Sequence, residues 1–232
     1  MRDRLLRAAG LVALGVAVAG GASAPPDDRL LPPLQHTSEK ARDLATKHAR
    51  ALRDLNVEVY HCLPWLEVQK HSIGFYKPRH ATGDTRFLSI RLYIEQDPSP
   101  QFASLTTAQR ASAMFSRYVG PMLRRMMQNP GLRNDDAIDG FTVILEWMKQ
   151  TPAARGQRPI HETIAVFVEK VDAEDYLSGR VTTPELATRA RVLGFDGETA
   201  LGTLGLSAWD DDFVSTFKVK NYQPDPGITC LK

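Results

Sequence analysis

Residues 86–95 have the sequence RFLSIRLYIE and form the clearest predicted β-strand of the chain. Aliphatic residues alternate with more polar ones along it, and the aliphatic set is Leu88, Ile90, Leu92 and Ile94. A period of two places these four side chains on one face of a strand. The pattern is typical of a half-buried antiparallel strand and predicts a sheet with one face against a core.

The segment before this strand predicts a helix followed by another strand. Apolar residues recur with helical spacing between residues 37 and 55, and either Thr37 or Ser38 can cap the helix. Residues 56–63 (NVEVYHCL) predict a strand that ends at Pro64. The long loop after it, residues 65–80, is rich in aromatic, His and Lys residues and has the composition of a shaped loop rather than of filler.

The segment after the strand begins with a second helix. Thr106 and Gln109 have the spacing of a capping box, and the helix runs to about Gln128 with a kink or restart at Pro121. Further strands are predicted at residues 141–148, 160–170 and 213–220, and a helix at residues 184–193.

This order of elements predicts an α+β fold. We expect a two-layer sandwich, with a mostly antiparallel sheet and the helices packed on one face. An α-β-β unit would occur twice, over residues 37–95 and 106–170. Residues 37–232 are predicted to form a single domain, preceded by a proline-rich leader over residues 25–36.

The N-terminal residues 1–24 have the layout of a secretory signal peptide. Three arginines precede the apolar run of residues 11–19, and Ala22-Ser23-Ala24 offers a small-residue cleavage site. Cleavage after Ala22 is the alternative, because Pro25 would follow a cut after Ala24. A retained membrane anchor is a second alternative, although such an anchor needs about 20 apolar residues. The prediction is an exported protein, periplasmic or secreted, with no transmembrane span after processing.

Export changes the charge of the protein. The whole chain has 29 basic and 27 acidic residues, and removal of residues 1–24 leaves 26 of each. Nucleic-acid binding depends on neutralising phosphates, so a neutral mature chain is a poor candidate for it. The composition is otherwise that of an ordinary globular protein.

The two cysteines exclude a disulfide-dense scaffold and a four-cysteine zinc site. In an oxidising compartment two cysteines are more often paired than free, so we predict a disulfide between Cys62 and Cys230. The alternative is a buried free thiol at Cys62 and a frayed tail that carries Cys230.

An arginine-rich segment without acidic residues lies between Asp97 and Asp135. Arg110, Arg117 and Arg124 recur every seven residues on the second predicted helix, with Arg125 beside them. The spacing indicates either a solvated helix face or an anion-binding surface for lipid head groups, cell-wall polymer or an acidic protein partner.

Signatures of common catalytic sites are absent from the sequence. A catalytic or metal site would need the histidines His61, His71, His80 and His161 to cluster, together with Asp84 or Glu162. A weaker hypothesis is a calcium loop, in which Asp135, Asp139 and Glu146 fit positions 1, 5 and 12. Ala137 at position 3 lacks a ligand oxygen, and a strand follows where a helix is needed.

Two functions are therefore expected from the sequence. The first is an exported, non-catalytic binding or envelope-associated module without a cofactor, whose partner is an anionic envelope component or a protein. The alternative is a periplasmic or secreted hydrolase or metal-dependent enzyme that uses the histidines.

Overall fold

The computed structural model describes residues 24–94, 99–150, 159–207 and 229–230. Its helices are α1 (Glu39–Lys47), α2 (Ala49–Cys62), α3 (Pro100–Ala103), α4 (Thr107–Met114), α5 (Gly120–Met126), α6 (Pro130–Arg133), α7 (Lys170–Leu177) and α8 (Thr183–Arg189). Its strands are β1 (Leu66–Val68), β2 (Gly74–Tyr76), β3 (Phe87–Ile94), β4 (Gly140–Gln150), β5 (Ile160–Glu169), β6 (Arg191–Asp196) and β7 (Thr199–Thr203). The predicted signal-peptide residues 1–23 and the predicted strand at 213–220 lie outside the described residues.

These strands form one mixed sheet in the order β1-β3-β4-β5-β6-β7, and β2 also pairs with β3. The pair β3–β4 is parallel and the other pairs are antiparallel. The predicted α+β class with a mostly antiparallel sheet is therefore confirmed. The parallel pair was not expected; it is possible because the connection from β3 to β4 contains α3 to α6, and parallel strands need such a long crossover.

The strand predicted at residues 56–63 is wrong, because residues 49–62 form helix α2. Leu52, Leu55, Val59 and Cys62 are buried with the three- and four-residue spacing of one helix face. The first half of the chain has the order α1-α2-β1-β2-β3 instead of the predicted helix and two strands. The α-β-β duplication stays a prediction.

The second predicted helix is interrupted by a π-helical turn over residues Phe115–Val119. Thr106 and Gln109 form the expected capping box at its start. Pro121 lies in the first turn of α5, directly after the π-helical turn. Proline has no N–H to donate and its ring crowds the preceding turn, so the helix restarts where the sequence predicts a kink or restart.

The helix predicted at residues 184–193 ends earlier, at Arg189, and β6 begins at Arg191. Gly194, the residue directly after the predicted helix, lies inside β6. A Cβ atom at this position would approach Leu204 Cδ1 to 2.5 Å, so glycine here permits close packing of the segment after β7.

The two faces of the sheet differ in what covers them. On β4 the side chains of Phe141, Val143, Leu145 and Trp147 are almost fully buried. Arg110 of α4 binds Glu162 on the same face, which we call the helix-side face. The alternate residues of β3 to β6 point to the opposite face, which we call the open face; on β4 and β5 these include Ile144, Thr163 and Phe167, all half-buried.

The proline-rich leader contacts the sheet and α2. The backbone N–H of Leu31 donates to the carbonyl of Ile73 over 2.8 Å, and Asn56 Nδ2 donates to the carbonyl of Pro26 over 3.1 Å. His36 is buried, and its Nε2 accepts from the backbone N–H of Phe75. Residues 26–36 are therefore held by hydrogen bonds to the domain.

The predicted disulfide between Cys62 and Cys230 is confirmed, with the two Cα atoms 5.6 Å apart. It joins the end of α2 to the C-terminal residues across 168 positions of sequence. Among the described residues, no helix has the length and apolar character needed to cross a membrane.

Candidate functional site

Two adjoining cavities lie on the open face of the sheet. The larger, of about 670 Å³, is lined by residues of the β2–β3 loop and of strands β3 to β6. The smaller, of about 310 Å³, continues toward Lys70 and His71. Both are lined by Lys77, Pro78, Arg91, Ile144 and Phe167, so together they form one cleft, which we call the open-face cleft.

The floor of the larger cavity, which we call the floor of the cleft, is mainly apolar. Ile144, Ala165 and Leu193 are partners in adjacent strands and therefore form one row across the sheet. Phe167 and Phe195 lie in the neighbouring rows on either side. The row is built by the alternation of each strand, which turns every second residue of β4, β5 and β6 to this face.

The rim of the open-face cleft is basic. Lys77, Arg79 and His80 come from the β2–β3 loop, Arg91 from β3 and Arg191 from β6. No Asp or Glu is among the described residues that line the larger cavity. Positive groups over an apolar floor concentrate a positive potential in the cleft.

Three of these cations lack a carboxylate partner within the described part of the chain: Lys77, Arg79 and Arg191. Arg91 differs, because its Nη2 lies 2.6 Å from Glu146 Oε2. An arginine without a carboxylate partner keeps its planar donors available for an incoming anion.

His80 also lines the larger cavity. Its ring contacts the Phe167 ring edge-on, with the centroids 5.0 Å apart. Partial burial lowers the pKa of His80, and the positive charge of Arg191 lowers it further. A bound anion would offset the charge of Arg191 and favour the protonated ring.

The other predicted histidines do not join His80 in a metal site. His71 lines the smaller cavity, His161 Nδ1 lies 3.1 Å from Glu146 Oε1, and His61 is buried on α2 beside Tyr60. Within the described residues, no three His, Cys, Asp or Glu side chains are grouped as metal ligands.

The carboxylates that were considered with these histidines are bound to cations elsewhere. Asp84 pairs with Arg86, while Glu162 lies on the helix-side face with Arg110. The clustering that the enzyme hypothesis requires is thus not found among the described residues.

The carboxylates of the predicted calcium loop are also separated and neutralised. Each accepts from a basic side chain: Asp135 from Lys47 and His48, Asp139 from Lys40, and Glu146 from Arg91. Asp139 directly precedes β4 and Glu146 lies in the middle of it, because the segment after Gly140 is a strand rather than the helix of a calcium-binding motif.

The predicted arginine stripe is not one exposed face. Arg110 is only 4% exposed and Arg125 only 8% exposed. Arg110 binds Glu162, and Arg125 Nε lies 3.5 Å from Glu58 Oε1. The π-helical turn places an extra residue in the helix, which rotates the following residues by about 100° relative to an unbroken α-helix.

Two members of the stripe are more accessible. Arg124 is exposed and its guanidinium lies 5.5 Å from the centre of the Tyr176 ring. Arg117 is half-buried. Anion binding by these two arginines stays a prediction.

A buried charge cluster on the helix-side face was missed by sequence reasoning. Glu162, 1% exposed, accepts from Arg110 Nε and Nη2 over 2.6 Å each, and from Trp147 Nε1 and Thr107 Oγ1 over 3.1 Å each. Such a fully hydrogen-bonded ion pair has a structural role, because no oxygen of Glu162 is left for a ligand.

The rim cations Lys77, Arg79, Arg91 and Arg191 were also missed as a group. A partial signal existed, since residues 65–80 have the composition of a shaped loop and include two of them. The sequence contains no comparable signal for Arg191, because this residue lies in the helix predicted at residues 184–193. Comparison with protein-family models, with curated proteins and with solved structures found no match for this chain.

Proposed function

We propose that this protein is an exported, non-catalytic binding module that holds an anionic ligand in the open-face cleft. The observation that carries the proposal is a set of cations, Lys77, Arg79 and Arg191, that have no carboxylate partner among the described residues and lie above an apolar floor. The cleft replaces the arginine stripe as the surface where we expect an anionic envelope component to bind.

The size and chemistry of the open-face cleft support a small ligand. Its larger part falls in the range of about 300–1,000 Å³ that small-molecule sites occupy. A carboxylate, sulfonate or phosphate can accept two parallel N–H groups from an arginine such as Arg191. The apolar floor strengthens this interaction because it excludes water from one side of the ion pair.

The cleft also supports binding rather than catalysis. Thr163 is the only hydroxyl residue that lines the larger cavity in the described part of the chain. The smaller cavity is lined by Ser72, Tyr76, Ser89 and Thr142 beside His71. Hydroxyl-based nucleophilic catalysis needs a base within hydrogen-bond reach of the hydroxyl and a third group that orients the base. In the hydrogen bonds of the described residues, none of these hydroxyls is joined to the ring of His71 or His80; Ser72 and Tyr76 donate to backbone carbonyls instead.

Export is the second part of the proposal. The layout of residues 1–24 and the Cys62–Cys230 disulfide both suit an oxidising compartment. N-terminal sequencing of the mature protein is expected to find its first residue between Ser23 and Pro25. An intact chain that begins at Met1 in the cytosol would contradict export and leave the cleft unaffected.

Anion binding is tested with a pair of fluorescent probes that share an aromatic body. Anilinonaphthalene sulfonate carries a negative charge, and N-phenylnaphthylamine is its neutral analogue. We expect the sulfonate to bind the native protein at least about tenfold more tightly than the neutral probe, since a hydrogen bond to a charged group contributes about 1.5–3 kcal/mol. The difference should shrink at high salt because ions screen charges on an open face.

Two charge-reversal variants locate the site. Arg191→Glu is expected to weaken sulfonate binding about tenfold or more, whereas Arg124→Glu, on the exposed surface of α5, should leave it unchanged. Equal binding of both probes by the native protein would overturn the proposal. Loss of binding in Arg124→Glu alone would move the site to the arginine stripe.

A further inference from the structure

We propose that the anionic ligand is the head group of a free single-chain amphiphile, whose hydrocarbon chain lies on the row Leu193–Ala165–Ile144. This inference rests on the proposed function, because it identifies what the anion is attached to. The two parts of the ligand correspond to the two parts of the open-face cleft, the basic rim and the apolar floor.

We expect the head group to bind at one corner of the open-face cleft, where Arg191 and His80 lie close to Phe167. Arg191 is the partner of Phe167 in the sheet register, and His80 packs on the edge of the Phe167 ring. Arg191 also lies close enough to His80 to influence its protonation. A carboxylate or monoester phosphate at this corner can accept from Arg191 and, at low pH, from the protonated His80 ring.

We expect the hydrocarbon chain of the ligand to lie along the apolar row. Leu193, the next residue of β6 on the open face after Arg191, begins the row, which crosses β5 at Ala165 and reaches β4 at Ile144. Two interstrand spacings separate Leu193 from Ile144, a distance of about 10 Å. An extended hydrocarbon advances about 1.25 Å per bond, given a bond length near 1.5 Å and a nearly tetrahedral angle. The row therefore fits about eight chain bonds.

The small side chain of Ala165 leaves a depression at the middle of the row. It lies between the larger Ile144 and Leu193, and Phe167 and Phe195 form walls in the neighbouring rows. A chain that lies along the row therefore passes Phe195 on one side and Phe167 on the other. Because Pro78 is buried beside the floor and the loop of residues 77–80 forms one wall, the cleft is concave and suits a free molecule rather than the flat surface of a bilayer.

The inference is tested by calorimetric titration of the intact protein with hexanoate, decanoate, tetradecanoate and decylamine. Burial of one methylene tightens binding up to about fourfold. A methylene that is covered on one side only gains about half of that free energy, which is a factor of about two. Decanoate should therefore bind about tenfold or more tightly than hexanoate. Tetradecanoate should gain less than about threefold over decanoate, because its last methylenes extend beyond Ile144.

Two variants separate the head from the chain. Arg191→Glu should weaken the binding of hexanoate and decanoate by the same factor. Ile144→Ser, at the far end of the row, should weaken decanoate binding while the affinity for the shorter hexanoate changes less, and a circular dichroism spectrum equal to that of the native protein establishes that this variant folds.

The outcomes distinguish this inference from the proposed function. Equal affinities for hexanoate and decanoate, both lost in Arg191→Glu, would overturn the chain assignment and leave anion binding in place. Decylamine binding as tightly as decanoate, or no binding of any carboxylate together with no sulfonate binding, would overturn both. Binding to phosphatidylglycerol vesicles without binding of free carboxylates would overturn the free amphiphile in favour of a bilayer.

Discussion

Both faces of the sheet carry arginine side chains, but these arginines have different environments and different roles. On the helix-side face, Arg110 and Glu162 are buried and satisfy one another. On the open face, Arg191 and Arg79 are exposed and have no carboxylate partner in the described part of the chain. Strand β5 contributes to both faces, since Glu162 faces the helices and Ala165 faces the cleft.

This comparison indicates where stability and binding reside. A buried ion pair that loses one member leaves an uncompensated charge in a low-dielectric interior, which costs folding free energy. An exposed, unpartnered cation contributes little to folding and remains available to a ligand. Substitutions on the helix-side face should therefore change stability, whereas those at the rim of the open-face cleft should change binding.

The largest effect is expected at the helix-side face. Arg110→Met leaves the Glu162 carboxylate buried without its main partner and should lower the free energy of unfolding by about 3–5 kcal/mol. Urea denaturation measures the change. Arg53→Met, on the exposed surface of α2, is the matched control and should stay within about 0.5 kcal/mol of the native protein. Equal stability of the two variants would remove the distinction between the faces.

The disulfide should have the next largest effect. Its removal in a Cys62→Ala, Cys230→Ala double variant frees a loop across 168 positions of sequence. The chain-entropy model puts the stabilisation at about 5 kcal/mol, and measured values are typically about 2–4 kcal/mol. We expect a loss in that typical range in urea denaturation, with sulfonate binding retained by the folded fraction. Unchanged stability, or two titratable thiols in the unreduced denatured protein, would contradict the pairing.

Asp135 should give a smaller, pH-dependent effect. Burial raises the pKa of its carboxyl, but hydrogen bonds from Lys47, His48 and the backbone of Ala137 outweigh burial and hold the pKa well below its usual range. A carboxyl with a lowered folded-state pKa stabilises the fold above its unfolded pKa of about 4, and this contribution is lost as the pH falls below that value.

Asp135→Asn removes the ionised partner of Lys47 and His48 at all pH values. The stability difference between the native protein and the variant should be about 1.5–3 kcal/mol near pH 6 and should shrink toward pH 3. Urea denaturation at the two pH values measures it. A difference that grows on acidification would show that the carboxylate does not stabilise the fold as described.

The smallest change in stability is expected at the rim of the open-face cleft. Arg191→Met should leave the free energy of unfolding within about 0.5 kcal/mol of the native value, because the arginine is exposed and forms no ion pair within the described residues. A loss comparable to that of Arg110→Met would mean that Arg191 is part of the structure rather than of a binding site.

The regular strands could be predicted from the sequence because alternation and strong apolar content agree in them. Residues 87–94 and 160–169 are strands where the pattern predicts strands. Residues 56–62 could not be assigned in this way. Val57 and Val59 alternate as in a strand, but Leu52, Leu55 and Val59 also have the spacing of a helix face. The tertiary packing of α2 outweighs the strand propensity of its valines.

The candidate site was less predictable than the fold. The cleft unites a loop with strands that are distant in sequence, so Arg79 and Arg191 come together only through the sheet order. The prediction of one arginine stripe was wrong for a local reason: the π-helical turn changes the helix phase between Arg110 and Arg124. The Cys62–Cys230 pair was predictable, since two cysteines allow one pairing.

The most direct test is an amide chemical-shift map of the isotopically labelled protein titrated with decanoate. The account predicts concentration-dependent shifts in the loop of residues 77–80 and at Ile144, Ala165 and Leu193, all on one face of the sheet. Arg117 and Arg124 should not shift. Shifts confined to those two arginines, or no shifts at concentrations that saturate calorimetric binding, would contradict the assignment of the open-face cleft as the binding site.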